Sequence, residues 1–502
     1  MASVPRNGFF GRKAGNPMNA YVYPVPAGEP EFDLYTVTVD GMRAPLSTAR
    51  VSAIPFNRPW PGYQRPLDQT ELAAFLSLDM TEPVRIEIHW PELVTEAIVR
   101  PVSRGVAAQI EGNTVRFTIC QPGQYSAEVN GRHHNLHIFA NAPEEAVDPA
   151  AFTYYFAPGV HEVGDLVLRS NESVYIAAGA VVHGGLQAYD AENIRICGRG
   201  ILDYSRKERG DPLRWEKDGL MIFARCKNVL LEGITLRDAS WWTVTAFNCV
   251  DLHYRNVKVI GMWRYNSDGF DFVNCQRVHV EGCFLRNYDD VIVFKGLRVK
   301  DLDDGYNQAA GALPYEHMDL TDYLVENCVL WCDWGGALEI GAETVADRYT
   351  NMVYRNCDIL RVDHGALRIQ SGDRAEISNV LYEDIRVEFS KYDPGHKLQY
   401  FDGEEFVPPE NWVPCLIRGW MYCNRWSSDG ILGHVHDITY RNIAVYTDDP
   451  GILPAISFKG GDEDHIFDRI TIENVTLNGK PYLPELVTNE FVGAVRLENK
   501  DT

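Results

Sequence analysis

The chain has 502 residues, 45% of them hydrophobic, and no apolar run approaches the roughly 18 residues of a membrane helix. Its 70 Asp and Glu against 47 Lys and Arg give a net charge of −23, which argues against nucleic acid and anionic membranes as partners and weakly against a long polyanionic substrate. The 11 cysteines are odd in number and contain no Cys-x-x-Cys, so neither a disulfide framework nor a metal site is expected.

Residues 1–19 are basic and rich in Gly and Pro, without the apolar stretch of a signal peptide. The expectation is a cytoplasmic protein, or a secreted one whose signal peptide is absent. From about 31 to 141, apolar alternation recurs at Leu34–Val39, Val84–Trp90, Val115–Ile119 and His137–Phe139. Gly, Pro and Asn130-Gly131 separate these runs, which predicts a small β-sandwich with a hairpin at Asn130-Gly131. The boundaries read from the sequence are a sandwich over 1–141, a linker over 142–151, a repeat domain over 152–480 and a tail over 481–502.

The repeat domain shows a short recurring pattern: an apolar residue or Tyr, then Glu or Arg, then Asn, Gly or Asp, then an apolar residue or Cys. The third position falls at Gly233, Asn256, Gly282, Asn327, Asn356, Asp384, Asn442 and Asn474, at spacings of 23, 26, 45, 29, 28, 58 and 32 residues. A strand-rich unit at this period, without helical periodicity, predicts a β-helix. The two long spacings hold insertions, at about 298–320 and 391–435. The second is rich in Tyr and Trp and is expected to shape a site or to form a homo-oligomer contact. Cys249, Cys275, Cys328 and Cys357 each follow an Asn and read as small buried residues stacked at one corner.

The most informative spacing lies inside this domain. Asp268 is followed 21 and 22 residues later by Asp289 and Asp290, and each acidic cluster runs into an alternating apolar strand. One turn of a coil stacks them about 4.8 Å apart, so three carboxyl groups converge, as glycosidic hydrolysis requires. Aligning the strands puts Phe270, Ile292, Leu338 and Leu367 inward, and likewise Phe272, Phe294, Ile340 and Ile369. Between them runs an outward column of Asp271, Val293, Glu339 and Arg368, preceded in register by Asp268, Asp290, Gly336 and Gly365. Asp271, Glu339 and Arg368 fit a cross-strand ion-pair network as well as a substrate role. Asp289-Asp290 beside a third Asp fits such a network badly, because like charges raise one another's pKa.

These segments resemble the inverting glycoside hydrolases of the polygalacturonase superfamily, which carry Asn-Thr-Asp, Asp-Asp, Gly-His-Gly and Arg-Ile-Lys on a right-handed parallel β-helix. Asn266-Ser267-Asp268 and Asp289-Asp290 match the first two motifs. Gly336 stands where the histidine belongs, and Gln370 follows Arg368-Ile369 where the lysine belongs. The related dextranase and isopullulanase family, glycoside hydrolase family 49, keeps the Asp trio, acts on neutral α-glucans and adds an N-terminal β-sandwich. Arg100–Gly105 and Gly131–Ala140 resemble its N-terminal domain.

The resemblance implies an all-β fold, a right-handed parallel β-helix with an N-terminal sandwich, and inverting hydrolysis of an α-glycosidic bond in an oligo- or polysaccharide. Asp289 would be the general acid, with Asp268 and Asp290 activating water and no cofactor or metal required. The lost His and Lys, with Glu339 beside Arg368, point to a neutral rather than uronic substrate. Candidate substrate contacts are Asn266, Asp271, Lys295, Glu339, Arg368 and Gln370. Trp263 and Trp334, with Tyr265 and Trp331, are candidates to stack on sugar rings, and His364 to supply the missing histidine. A polygalacturonase-like hydrolase, a lyase or fructotransferase, and a non-catalytic glycan-binding solenoid are the alternatives.

Overall fold

The computed structural model describes residues 19–53, 66–209, 219–297, 318–363, 365–393 and 414–499, with the backbone of Leu398–Gln399 and Glu405–Phe406. From Tyr154 onward the chain winds into a right-handed parallel β-helix. Thirty-one strands form one continuous system in which each coil pairs with the next, and no α-helix occurs among the described residues.

The repeat has a backbone cause. All eight of its third positions are left-handed, with φ of 81° at Gly233, 51° at Asn256, 61° at Gly282, 59° at Asn327, 50° at Asn356, 54° at Asp384, 55° at Asn442 and 57° at Asn474. Gly has no Cβ to clash there, and Asn and Asp are the side chains that best tolerate this region. The amides also stack: Asn356 donates to Asn327 at 2.6 Å, and Asn474 to Asn442 at 2.9 Å. The Tyr of the pattern points inward, so Tyr354, Tyr382 and Tyr440 stack with centroids 4.4 and 4.9 Å apart. The cysteines line two corners rather than one. Cys226, Cys249 and Cys275 precede the repeat strands, while Cys283, Cys328 and Cys357 follow them, all buried and free. An Asn-Cys step occurs at the turns on both sides of the same strand, which is why the sequence shows one pattern for two corners.

Strand pairing continues through Leu486–Thr488 and Val495–Glu498, so residues expected to form a tail make a last coil instead. At the other end, residues 20–141 form two sheets, of six and five strands, around a shared apolar core. Asn130 and Gly131 begin the connection between the paired strands Gly123–Val129 and Leu136–Asn141, which is longer than a two-residue turn.

The sandwich packs on the side of the β-helix formed by strands such as Phe284–Asn287 and Val329–Cys332. Ala49, Phe75 and Phe139 meet Ile260, Phe284, Trp331 and Leu360 there. A buried ion network joins the two parts. Arg100 pairs with Glu128 at 2.9 Å and with Glu388, and Arg361 pairs with Glu128 at 2.9 Å and with Asp393 at 2.6 Å. A different face of the helix, carrying Phe270–Val273, Ile292–Gly296, Gly336–Thr344 and Gly365–Ser371, is left for the site.

Candidate active site

The register of that face matches the sequence alignment rung by rung. Phe270 pairs with Ile292, Ile292 with Leu338 and Leu338 with Leu367. The column between them therefore runs Asp271, Val293, Glu339, Arg368 and continues to Arg418. Tight turns precede the strands. Gly269 donates to the Asp290 carbonyl at 2.8 Å, which stacks the first acidic turn on the second. At Gly335 a Cβ would meet the Asp290 nitrogen at 2.6 Å and Asp289 Oδ1 at 2.7 Å, so the acidic pair needs a glycine in the next coil.

A groove of about 510 Å³ lies over this face. Asn266, Asp268, Asp289, Asp290, Lys295, Trp334, Glu339, Arg368 and Gln370 line it, as do Trp242, Tyr265, Glu343, Tyr422, Asn424, Arg425 and Trp426. Lys295 is buried beneath it, with Nζ 3.0 Å from Asp268 Oδ2, 2.8 Å from Asp271 Oδ1 and 3.8 Å from the Trp242 ring centroid. Asp289 accepts from the Asp290 nitrogen at 3.1 Å and from Asn266 Nδ2 at 3.4 Å. Asp290 Oδ1 accepts from the Gly336 nitrogen at 2.9 Å. Arg368 Nη1 lies 3.1 Å from Glu339 and 3.6 Å from Asp290, and its other amine donates to Gln370.

Lys295 and Arg368 face six carboxyl groups here, so the acids cannot all ionise, and the surroundings divide them. Burial, then the neighbouring Asp290, pushes Asp289 up to about 7. Burial also works against ionised Asp290, but Arg368, Lys295, a hydrogen bond with Glu339 and the Gly336 amide outweigh it and hold Asp290 below the usual carboxylate range. Burial raises Glu339 well above that range despite Arg368. Burial likewise raises Asp268, with Lys295 as the main opposing charge, and its Oδ1 is buried without a protein partner among the described residues. Two adjacent aspartates are thus driven in opposite directions, Asp289 toward its protonated form and Asp290 toward its ionised form.

Several sequence candidates sit elsewhere. Asp271 is fully buried under Lys295 and does not line the groove; it pairs with that lysine at 2.8 Å and its charge helps to raise Asp268. Trp263 donates to Asp238 at 2.9 Å and packs against Arg264 and Arg50, so it holds the sandwich to the helix rather than a sugar. Trp331 is buried between Arg286 and Arg361 in the same interface. Their positions near the motifs in sequence put them on the sandwich-facing sheet. His364 lies outside the described residues. At Gly336 a Cβ would collide with Glu339 and come within 3.3 Å of Arg368, so these two side chains occupy the space beside the glycine.

The residues that the alignment missed have two origins. Trp242 occupies the register of Asp268 one coil earlier, counting back from the Val244–Phe270 pair, so extending the column by one coil finds it. Tyr422, Asn424, Arg425 and Trp426 follow the strand Cys415–Met421, which pairs with Leu367–Ser371 inside the span that the sequence assigns to the second insertion, so the sequence column does not extend to it.

With this geometry in hand, the relatives can be placed. The family described as glycosyl hydrolases family 28 matches residues 195–414. The structure is similar to Dex49A from Penicillium minioluteum, with a TM-score of 0.62 at 13% identity over 94% of this chain and 96% of that one. That likeness spans both the sandwich and the β-helix, and it shows the fold. The chain is also similar to a hyperthermoactive exopolygalacturonase from Thermotoga maritima, with a TM-score of 0.47 at 19% identity, covering 68% of this chain and 83% of that one. Similarity to the catalytic domain of a GH87 α-1,3-glucanase has a TM-score of 0.47 at 11% identity, covering 95% of this chain and 86% of that one. No curated protein sequence matches. The family match covers the coils that carry the groove and supports a glycoside hydrolase, and the likeness to Dex49A shows the fold, a β-helix with an N-terminal sandwich.

Proposed function

We propose that this enzyme hydrolyses an α-glycosidic bond in a neutral oligo- or polysaccharide, with inversion at the anomeric carbon. The observation that carries the reading is the opposite displacement of Asp289 and Asp290. Protonated Asp289 gives its proton to the glycosidic oxygen as the bond to the anomeric carbon breaks. A water attacks that carbon from the other face and passes a proton to ionised Asp290. Asp268 Oδ1, buried without a partner among the described residues, is suited to orient that water, and Lys295 holds its other oxygen.

The neutral assignment rests on Arg368. Its two terminal amines are already engaged by Glu339, Gln370 and ionised Asp290, so a uronate carboxylate would have to displace these partners. The net charge of −23 adds long-range repulsion against a polyanion. Competition between polygalacturonate and neutral α-linked oligosaccharides, read as kcat/KM at low salt, tests this. A clear preference for polygalacturonate would overturn it.

A further inference from the structure

We propose that the N-terminal sandwich carries a second carbohydrate site, a cleft that takes the carboxylate of an acidic sugar unit. The cleft has a volume of about 510 Å³, the same as the catalytic groove. Arg85, Arg104 and Arg116 line it and no acidic residue among the described residues does, in a chain where 70 acids outnumber 47 bases. It lies on the outer face of the strands Val84–His89 and Thr114–Ile119, beneath the segment that follows Val102–Arg104.

Arg104 is the residue that makes this a built site. Its segment is fastened to the β-helix: the Val102 nitrogen donates to Glu388 at 2.8 Å and Ser103 Oγ to Asp358 at 2.7 Å. Gly105 then turns the chain in the left-handed region, with φ of 63°. The guanidinium lies 4.8 Å from the Tyr125 ring centroid. A Cβ at Gly123 would collide with Arg104 Nη1, so the glycine keeps open the path along which the arginine lies. Arg85 pairs with Glu87 at 2.7 Å, and Arg116 pairs with Glu111 and Glu87. Arg104 has no carboxylate partner among the described residues.

An arginine fixed by stacking and tethering presents its fork with little entropy left to lose, and that fork matches a carboxylate in two hydrogen bonds. Gln109 and Gln121 on the rim supply amides for sugar hydroxyls. The volume suits sugar rings rather than a bare inorganic ion. In a glycan hydrolase, such a cleft would hold a sparse acidic unit of an otherwise neutral polymer while the groove cleaves elsewhere. This inference rests on the hydrolase class and not on the neutral assignment.

The test is calorimetric titration of digalacturonate into full-length Asp289→Asn protein, with and without Arg104→Gln, at two salt concentrations. Expected are one-to-one saturable binding that weakens as salt rises, and a loss of roughly tenfold or more in affinity with Arg104→Gln. Gly123→Ala, which displaces Arg104 without removing it, should reproduce the loss. Thermal unfolding confirms that both variants fold. In the otherwise unaltered enzyme, Arg104→Gln should leave hydrolysis of a short neutral oligosaccharide unchanged. Equal binding by Arg104→Gln and its parent, no binding at all, or displacement by inorganic phosphate at matching affinity would overturn the proposal. If the cleft binds but neutral oligosaccharides are not cleaved, the catalytic reading alone fails.

Discussion

Asp289→Asn separates proton donation from every other part of catalysis. An ordinary aspartate, with a pKa of 3.8, would be protonated in fewer than about one molecule in a hundred at pH 6, whereas Asp289, pushed up to about 7, is protonated in about nine of ten. The site therefore supplies a near-stoichiometric acid where solvent exposure would give almost none. Asparagine keeps the shape and can still accept from the Asp290 nitrogen, with its amide nitrogen replacing the oxygen that meets Asn266. It cannot give a proton to the leaving oxygen, and loss of general acid catalysis costs about 10²–10⁴ in rate. The assay is kcat on an unactivated α-oligosaccharide beside a nitrophenyl α-glycoside of the same sugar, whose phenolate leaves without being protonated. The expected outcome is the full loss on the first substrate and less than about a tenfold loss on the second. Equal losses on both substrates from a folded variant would refute the acid role.

The pH profile follows from the same pair. kcat/KM should fall as pH rises through about 7, where Asp289 loses its proton, and on the acid side only below the usual aspartate range, where Asp290 gains one. A maximum on the alkaline side of 7 would contradict the assignment. Gly336→His restores the residue typical of polygalacturonases but drives it into Glu339 and Arg368; it should cost about 1–3 kcal/mol of stability by thermal unfolding. No loss would mean that Glu339 yields the space freely. Arg100→Met leaves Glu128 and Glu388 buried with one partner fewer and should cost about 3–5 kcal/mol in urea unfolding. A cost below about 1 kcal/mol would show that the sandwich docks through its apolar contacts instead.

The site was legible wherever the coil repeats in register. Strand alternation has a period of two, so aligning Phe270, Ile292, Leu338 and Leu367 fixed which face Glu339 and Arg368 occupy. The repeat itself was legible because a left-handed turn admits few residue types, which made Asn327, Asn356 and Asn442 recur. Contacts between distant segments were not legible. Trp263 and Trp331 lie close to the acidic motifs in sequence, yet a coil has three faces, and theirs meets the sandwich. Asp271 occupies the predicted column, but nothing in the pattern shows that Lys295 from the next coil covers it. Tyr422 and Trp426 reach the groove from the span read as an insertion, where the strand Cys415–Met421 does not carry the recurring pattern.

The central claim, that one of two adjacent aspartates protonates the leaving oxygen while the other activates water, is tested most directly by the configuration of the first product. Proton NMR of an α-linked neutral oligosaccharide, followed before mutarotation, should show the β-anomer of the newly formed reducing end appearing first. Initial formation of the α-anomer would require a covalent glycosyl intermediate on an aspartate, and would contradict the roles assigned to Asp289 and Asp290.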